Sequence, residues 1–546
     1  RPPRSTLFPY TTLFRSDQVD FTGLYRVLAL FAGILLVTVI SQWVIQVLGN
    51  RIAYQSVAEL RKDTFKHLNH LPLRYYDQTA HGDIVSRFTN DMDNVSVAVS
   101  AVFIQLFSGL STLILALAFM LYLSPWLTVV VLIATPVIFT VMWLVARASQ
   151  QNFSNQQRIT GELSGFINER IRNQKIVKAF QQEDKTQELF EGINQRLYVD
   201  GQKAQFSSSL TNPLSRVVDH LAYLSVGLVG GVLALNGNYG VTIGVISSFT
   251  IYSSQFTKPF IELSGITTQL QLAIAGLDRA YDILQQDPQE PDATDARVLT
   301  EAKGAVSFEH VHFGYVEGQE LIKDFSLSVQ PGETIAIVGK TGAGKSTLIN
   351  LLMRFYELNS GRILIDGTDI RELTRDSLRQ SFGMVLQETW LFEGSLRANL
   401  RYGRKSATDD EIYDALKKTY MYDFVSRLPE GLDTKAGDSG LKISDGQRQL
   451  LTIARTMISN PDMLILDEAT SSVDTLTEQK IQSAFLQMME GRTSFVIAHR
   501  LSTIRNADKI LVLDQGNILE IGSHDELLAK GGYYKDLYQA QFTEEA

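Results

Sequence analysis

In the first half of the chain, apolar residues run without a charge over Val27 to Leu48, Phe103 to Leu123 and Trp126 to Ala146, each 21 or 22 residues long. About 20 such residues in a helix cross a bilayer core, and soluble helices are rarely so long and clean. A further uncharged run of 37 residues, Leu221 to Thr257, is interrupted by "NGNYG" at 236–240. Those Asn and Gly residues predict a tight turn between two helices. The pattern therefore predicts five membrane crossings.

From residue 285 the pattern changes. The polar, acidic stretch "QQDPQEPDATDARVLTEAKG" (285–304) carries two prolines and reads as a linker. Beyond it, "VSFEHVHFGY" and "FSLSV" alternate like strands, and "TIAIVG" (334–339) is a short apolar run of the kind that forms a buried strand. The expected fold is an all-α transmembrane domain (17–284) with long cytoplasmic helical extensions, a linker (285–304) and an α/β domain (305–546).

Basic residues orient the spans. Arg51, Arg61, Lys62, Lys66, Arg74 and Arg87 follow the first run, and Arg147, Arg158, Arg170, Arg172, Lys175 and Lys178 follow the third. Both segments are expected to face the cytoplasm. They read as helical hairpins that turn near "YYDQTAHGD" (75–83) and "RNQKIVKAF" (172–180). Five crossings with a cytoplasmic C-terminal domain would put residue 1 outside. Residues 1–16, "RPPRSTLFPYTTLFRS", nearly repeat "TLFPY" as "TTLFRS" and fit no helix or strand period. They are read as foreign sequence standing where a first membrane helix is expected.

Net charge is −9, which gives no reason to expect nucleic acid as a partner, and the chain has no Cys for disulfides or thiolate metal sites. The last apolar run is rich in hydroxyls (Ser247, Ser248, Thr250, Tyr252, Ser253, Ser254 and Thr257, with Gln255). In lipid such groups must face other helices or water, and a substrate cavity is the expectation drawn from them.

The chemistry concentrates in the second half. "GKTGAGKST" (Gly339, Lys340, Thr341, Gly342, Ala343, Gly344, Lys345, Ser346, Thr347) follows a strand, precedes a helical pattern and matches G-x-x-x-x-G-K-[ST]. Glycines at that spacing let backbone N–H groups curl round the phosphates of a nucleotide. Lys345 is expected to reach the β- and γ-phosphates, and Ser346 to offer its hydroxyl to Mg²⁺. A second apolar strand, "MLILDEATSSVD", ends at Asp467 and Glu468. Asp467 is placed to hold Mg²⁺, and Glu468 to orient and deprotonate the attacking water.

Together with "SDGQRQLL" (444–451), these motifs resemble the ATP-binding cassette (ABC) family, and their order resembles an exporter-type half-transporter from about residue 20 onward. The resemblance implies ATP and Mg²⁺ as cofactors and a membrane domain of six helices, the first missing here. It also implies a second half-transporter as partner, with membrane lipid and a hydrophobic or amphipathic substrate. It places Tyr315 on adenine, Gln387 of "VLQETWLF" at Mg²⁺ and at the membrane-domain contact, and His499 of "VIAHRLST" at the γ-phosphate. Asp474 falls in the loop that communicates between two ATP sites. Ser444, Gly446 and Gln447 would serve the partner's ATP.

In "LKISDGQRQLL" Asp445 stands where the family has glycine. At about 5 Å from a phosphate charge and an effective dielectric of about 20, an inward carboxylate would cost roughly 3 kcal/mol. An asymmetric heterodimer is the expectation, with this chain's intact residues forming the hydrolytic site; a homodimer is the competing one. The expected activity is ATP-driven export of amphipathic small molecules, lipids or peptides across the plasma membrane. A homodimeric lipid flippase or peptide exporter, and an ATP-dependent membrane sensor, are alternatives.

Overall fold

The computed structural model describes residues 21–236, 240–316, 318–387, 389–437, 440–467, 474–498 and 501–542. The sixteen-residue N-terminal segment, Glu468 and His499 lie outside the described residues. The chain forms two compact units. One takes the residues up to Leu71 with Thr79–Asp287, and the other takes Pro72–Gln78 with Pro288–Ala546.

In chain order the helices of the first half are α1 (Phe21–Leu68), α2 (Leu73–Gln78), α3 (His81–Ser86), a π-helical turn (Arg87–Asp91), α4 (Met92–Leu123), α5 (Pro125–Arg172), α6 (Gln174–Ala179), α7 (Glu183–Ser209), α8 (Thr211–Leu235), α9 (Ile243–Gly265) and α10 (Thr267–Leu284). The charge-free runs are parts of longer helices. At 48 residues each, α1 and α5 extend about 72 Å, so each continues unbroken from its apolar run into the basic segment after it. Ser124 and Pro125 divide α4 from α5. Ser124 is extended and its hydroxyl accepts from Leu127 N–H, while Pro125 occupies the first helical position, where no N–H is needed.

Among the described residues, Phe21–Leu68 and His81–Leu123 are long and apolar enough to cross a membrane by length and composition. Pro125–Pro136 and Tyr223–Leu235 are shorter apolar pieces. The hydroxyl-rich sequence of α9 lowers its hydropathy below the other spans. Val27, Leu30, Phe31, Val37 and Trp43 of α1 face outward, which suits a hydrocarbon solvent.

Contacts between helices use small residues and shape. A Cβ on Gly109 of α4 would lie 3.3 Å from Cβ of Pro259 in α9, so glycine sets how closely these two helices approach. Met120, Leu127, Val131, Val226, Phe249 and Phe256 form the apolar cluster beside this contact. Ser253 and Thr257 are buried. Thr257 donates to Ser254 O (3.1 Å) and Thr250 to Ile246 O (3.0 Å). Thr250 and Thr257 thus bond their own helix, and of the expected polar residues Ser247 and Gln255 are exposed.

Among the described residues of the first unit, one ionic joint is deeply placed. The Asp91 carboxylate is 6% exposed and accepts two hydrogen bonds from the Arg279 guanidinium, the Nε contact being 2.6 Å. Arg87 donates to Arg279 O (3.2 Å) and to Asp83 (2.8 Å). The joint ties α10 to the π-helical turn that leads into α4.

In the second unit the strands are β1 (Val306–Phe313), β2 (Ile322–Val329), β3 (Thr334–Gly339), β4 (Ser360–Ile365), β5 (Thr368–Asp369), β6 (Phe382–Val385), β7 (Gly394–Ser395), β8 (Lys435–Ala436), β9 (Met463–Asp467), β10 (Thr493–Ile497), β11 (Lys509–Asp514) and β12 (Asn517–Gly522). One sheet has order β2-β1-β4-β5 and is antiparallel. The larger has order β12-β11-β3-β10-β9-β6, parallel except for β12. Helices α11 (Lys345–Leu352), α12 (Arg375–Gln380), α13 (Leu396–Leu400), α14 (Asp409–Lys418), α15 (Tyr422–Ser426), α16 (Asp445–Ser459), α17 (Thr475–Met489), α18 (Leu501–Asn506), α19 (His524–Lys530) and α20 (Tyr533–Phe542) complete it.

Alternate strand residues enter different cores. Ala336, Val338, Leu464, Leu466, Val496 and Val512 face one cluster. Ile335, Ile337, Ile465, Phe495, Ile497 and Leu511 face the other. Coverage on both faces explains why these strands are continuous apolar runs. The acidic linker is docked, not loose. Asp292 accepts from Arg375 (2.6 Å), which also binds Glu357 (2.6 Å), and Arg297 N–H donates to Glu372 O (2.7 Å).

Replacing Arg279 by Ala leaves the Asp91 carboxylate buried without its partner and is expected to destabilise the helical unit by about 2 kcal/mol. The check is the thermal midpoint of the detergent-solubilised protein. Arg279→Lys should recover only part of the loss, because an ammonium cannot make the paired contact.

Candidate functional site

Four parallel strands end at the same edge of the larger sheet. β3 runs into the glycine-rich loop, β6 leads to Gln387, β9 ends at Asp467, and β10 ends at Ile497, two residues before position 499. The register pairs Ile497 with Asp467 and Val385 with Leu466. In open parallel sheets this carboxyl edge is where ligands bind.

The loop closes tightly. Gly342 and Gly344 have φ of 83° and 100°, left-handed values that favour glycine, and Gly344 caps α11. Ala343 N–H donates to Lys340 O (3.1 Å), and Ala343 O accepts from Gly516 N–H (3.0 Å). Gly516 must lack a side chain: its Cβ would sit 1.5 Å from Leu321 O. The β11–β12 turn thereby braces the loop from outside.

Lys345 folds over the loop and donates to Gly339 O (2.7 Å) and Lys340 O (3.1 Å). Burial holds its pKa below the usual lysine range, and the Asp467 carboxylate opposes that shift. The N–H groups that open α11 have no intrahelical acceptors, and the helix dipole adds positive potential there. An ammonium and a row of amide donors at one point suit a polyphosphate. Thr341 and Ser346 are exposed, Thr347 is buried, and Lys340 extends away so that its Nζ lies 5.6 Å from the ring centre of Tyr533 on α20.

Tyr315 is half-buried next to this loop. Its hydroxyl is 3.2 Å from Thr347 Oγ1 and accepts from Asn350 Nδ2 (3.4 Å). Phe313 and Tyr356 each meet its ring edge-on, with centroids 4.9 Å away. Gln387 is exposed. Asp474 caps α17 by accepting from Thr477 N–H (3.0 Å), which lowers its pKa.

The 444–447 loop opens α16 with a reciprocal cap. Ser444 Oγ accepts from Gln447 N–H (3.3 Å), and Gln447 Oε1 accepts from Ser444 N–H (3.1 Å). Gly446 is buried in the first turn. Asp445 lies 3.4 Å from the Arg448 guanidinium and its side chain is 67% exposed. Within this chain the carboxylate is turned along its own helix toward a cation. Such an exposed pair contributes about 0–1 kcal/mol.

The structure thus gathers Tyr315, residues 339–347, Gln387 and Asp467 on one side of the second unit. Among the described residues, no hydrogen bond or ion pair joins 444–447 to 339–347. Two partners were missed from sequence. Arg448 is three positions after Asp445, a helical spacing that signals pairing. Tyr356 is 43 residues from Phe313 and 41 from Tyr315, and no local pattern joins them.

Two family models match the chain: "ABC transporter transmembrane region" over residues 9–260 and "ABC transporter" over residues 322–471. The Bacillus subtilis (strain 168) protein named "Uncharacterized ABC transporter ATP-binding protein YfiC" is 41% identical over 521 residues, 95% of this chain and 86% of its own length. A "Fatty acid ABC transporter ATP-binding/permease protein" of Mycobacterium tuberculosis is 42% identical over 522 residues, 96% of this chain and 82% of its own. Among solved structures, that of a bacterial Atm1-family ABC exporter with ATP bound superposes with a TM-score of 0.76 at 29% identity, over 96% of this chain and 90% of that one.

Gly516→Ala is expected to push the 514–516 turn off Ala343 and to weaken binding of a fluorescent ATP analogue about tenfold or more. Titration of purified protein, with circular dichroism to verify folding, checks this.

Proposed function

Since the chain belongs to the ABC transporter family, with membrane region and ATPase fused as in its exporters, we propose that it is one half of a heterodimeric plasma-membrane exporter and carries the residues of the hydrolytic ATP site. The observation that carries this reading is Asp445. A carboxylate on the first turn of α16 opposes the anion-binding potential of that helix end, and the Arg448 contact offsets only part of it. The partner's ATP would meet this altered loop, whereas this chain's own phosphate loop would meet an unaltered one.

In the hydrolytic site Lys345 and the amides that open α11 hold the β- and γ-phosphates. Tyr315 stacks on adenine. Ser346, Asp467 and Gln387 would hold Mg²⁺, which would offset charge on the phosphates. Glu468 takes a proton from water as its oxygen attacks the γ-phosphorus and ADP leaves; His499 contacts the γ-phosphate. The exposed Ser247, Gln255 and Lys258 beside exposed Ile251 on α9 support an amphipathic cargo, as does the fatty-acid transporter among the relatives.

The test is MgATP turnover by the chain alone in nanodiscs, set against Glu468→Gln and Asp445→Gly. Heterodimer function predicts negligible turnover alone, a gain with Asp445→Gly of about tenfold or more, and full turnover on mixing with a half-transporter that has glycine there. Strong Glu468-dependent turnover by the chain alone, unchanged by Asp445→Gly, would establish a homodimer. Glu468→Gln should retain bound ATP without turnover, and Lys345→Ala should lose analogue binding.

A further inference from the structure

Two ties reach the glycine-rich loop from the last elements of the second unit. One is the bond from Gly516 N–H, in the β11–β12 turn, to Ala343 O. The other runs through α20. Its first turn is anchored to β12, where the Glu520 carboxylate, 9% exposed, accepts from Tyr533 N–H (3.1 Å) with one oxygen and from Tyr534 N–H (2.9 Å) with the other. A Cβ at Gly532 would lie 1.8 Å from Glu520 Oε1, so glycine there lets the carboxylate reach both groups. Tyr534 is buried, and its hydroxyl is 2.7 Å from His524 Nδ1. Tyr533, next to it, turns its ring to Lys340 of the loop, whose Nζ lies 5.6 Å from the ring centre, within cation–π range.

We propose that α20 restrains the phosphate loop, with Tyr533 as a positioning residue that acts through Lys340, so that docking of α20 and binding of a polyphosphate oppose each other. This rests on the reading of residues 339–347 as the phosphate-binding loop. Both lysines of that loop are held by protein groups. The Lys345 ammonium donates to the carbonyls of Gly339 and Lys340, and the Lys340 ammonium rests on the Tyr533 ring. Lys340 therefore joins the two, since its backbone holds Lys345 while its side chain is held by α20. A polyphosphate draws Lys345 off those carbonyls. Its charge also attracts the Lys340 ammonium more strongly than the quadrupole of an aromatic ring does. The docked arrangement is one that the helix can leave: the Tyr533 hydroxyl is buried with no hydrogen-bond partner among the described residues, which is unfavourable. Coupling of this kind is reciprocal, so whatever the anion does to α20, α20 must do to the anion.

The experiment uses the full chain in nanodiscs, with binding of ATP and of inorganic tripolyphosphate titrated and hydrogen exchange followed at residues 533–542. In the wild type either anion should speed exchange there, and adenosine should not. Tyr533→Leu removes the ring and should tighten both anions about two- to fivefold. Glu520→Gln offers one acceptor oxygen in place of two and should shift affinity in the same direction. Tyr533→Phe keeps the ring and drops only the unpaired hydroxyl, so it should bind both anions no more tightly than the wild type. Lys340→Gln should abolish the anion-dependent exchange, and adding Tyr533→Leu to it should bring no further gain. The restraint is overturned by a gain from Tyr533→Leu that survives in Lys340→Gln, or by weaker binding in Tyr533→Leu protein that circular dichroism shows to be folded. Exchange at 533–542 that ATP slows or leaves unchanged overturns it too. Lys345→Ala tests the underlying reading separately. If that variant keeps full affinity for both anions, the loop is not the phosphate site; if it loses binding while the Tyr533 effects are absent, the restraint alone falls.

Discussion

The second unit depends on the parallel register of β6, β9, β10 and β3. Pairing Ile497 with Asp467 and Val385 with Leu466 brings the carboxyl ends of these strands to one edge. A slip of one residue in any of them would turn its apolar set to the wrong core and move its terminal polar group. Assembly of the polar edge is therefore not a separate problem from packing: the same alternation that buries Leu466 and Val496 on one face, and Ile465 and Phe495 on the other, fixes where the loops emerge.

The first unit solves a different problem. Its outward residues on α1 are apolar, and burial alone gives neighbouring helices little reason to associate in hydrocarbon. What it uses instead is fit and ionic pairing: a glycine at 109 that admits Pro259, hydroxyls turned back onto helix carbonyls, and the Asp91–Arg279 joint beside the π-helical turn. In α9, Thr250 and Thr257 turn their hydroxyls onto carbonyls of their own helix, whereas Ser247 and Gln255 are exposed.

Much of this was legible in advance because it is local. The charge-free runs Val27 to Leu48 and Phe103 to Leu123 fall in the two described helices long and apolar enough to cross a membrane, "SP" marks a helix break, and "GKTGAGKST" lies between a strand and a helix as its pattern predicts. The fused-exporter assignment, drawn from the order of these motifs, agrees with the relatives. What escaped were contacts between segments far apart in the chain. The brace of Gly516 on Ala343, the joint of Asp292 with Arg375, and the meeting of Tyr356 with both Tyr315 and Asp77 have no periodicity to betray them. Asp445 shows the intermediate case: its presence was plain, but the direction of its side chain depended on Arg448, one turn along the helix.

The reciprocal cap at Ser444 has a further meaning when donors and acceptors are counted separately. The cap uses a lone pair of the Ser444 hydroxyl to accept from Gln447 N–H, and a hydroxyl has a proton as well. Holding the helix end together therefore leaves that proton unspent. A hydroxyl that accepts within the cap can still donate to an anion without unwinding the first turn, so using that proton would cost the loop little ordering entropy.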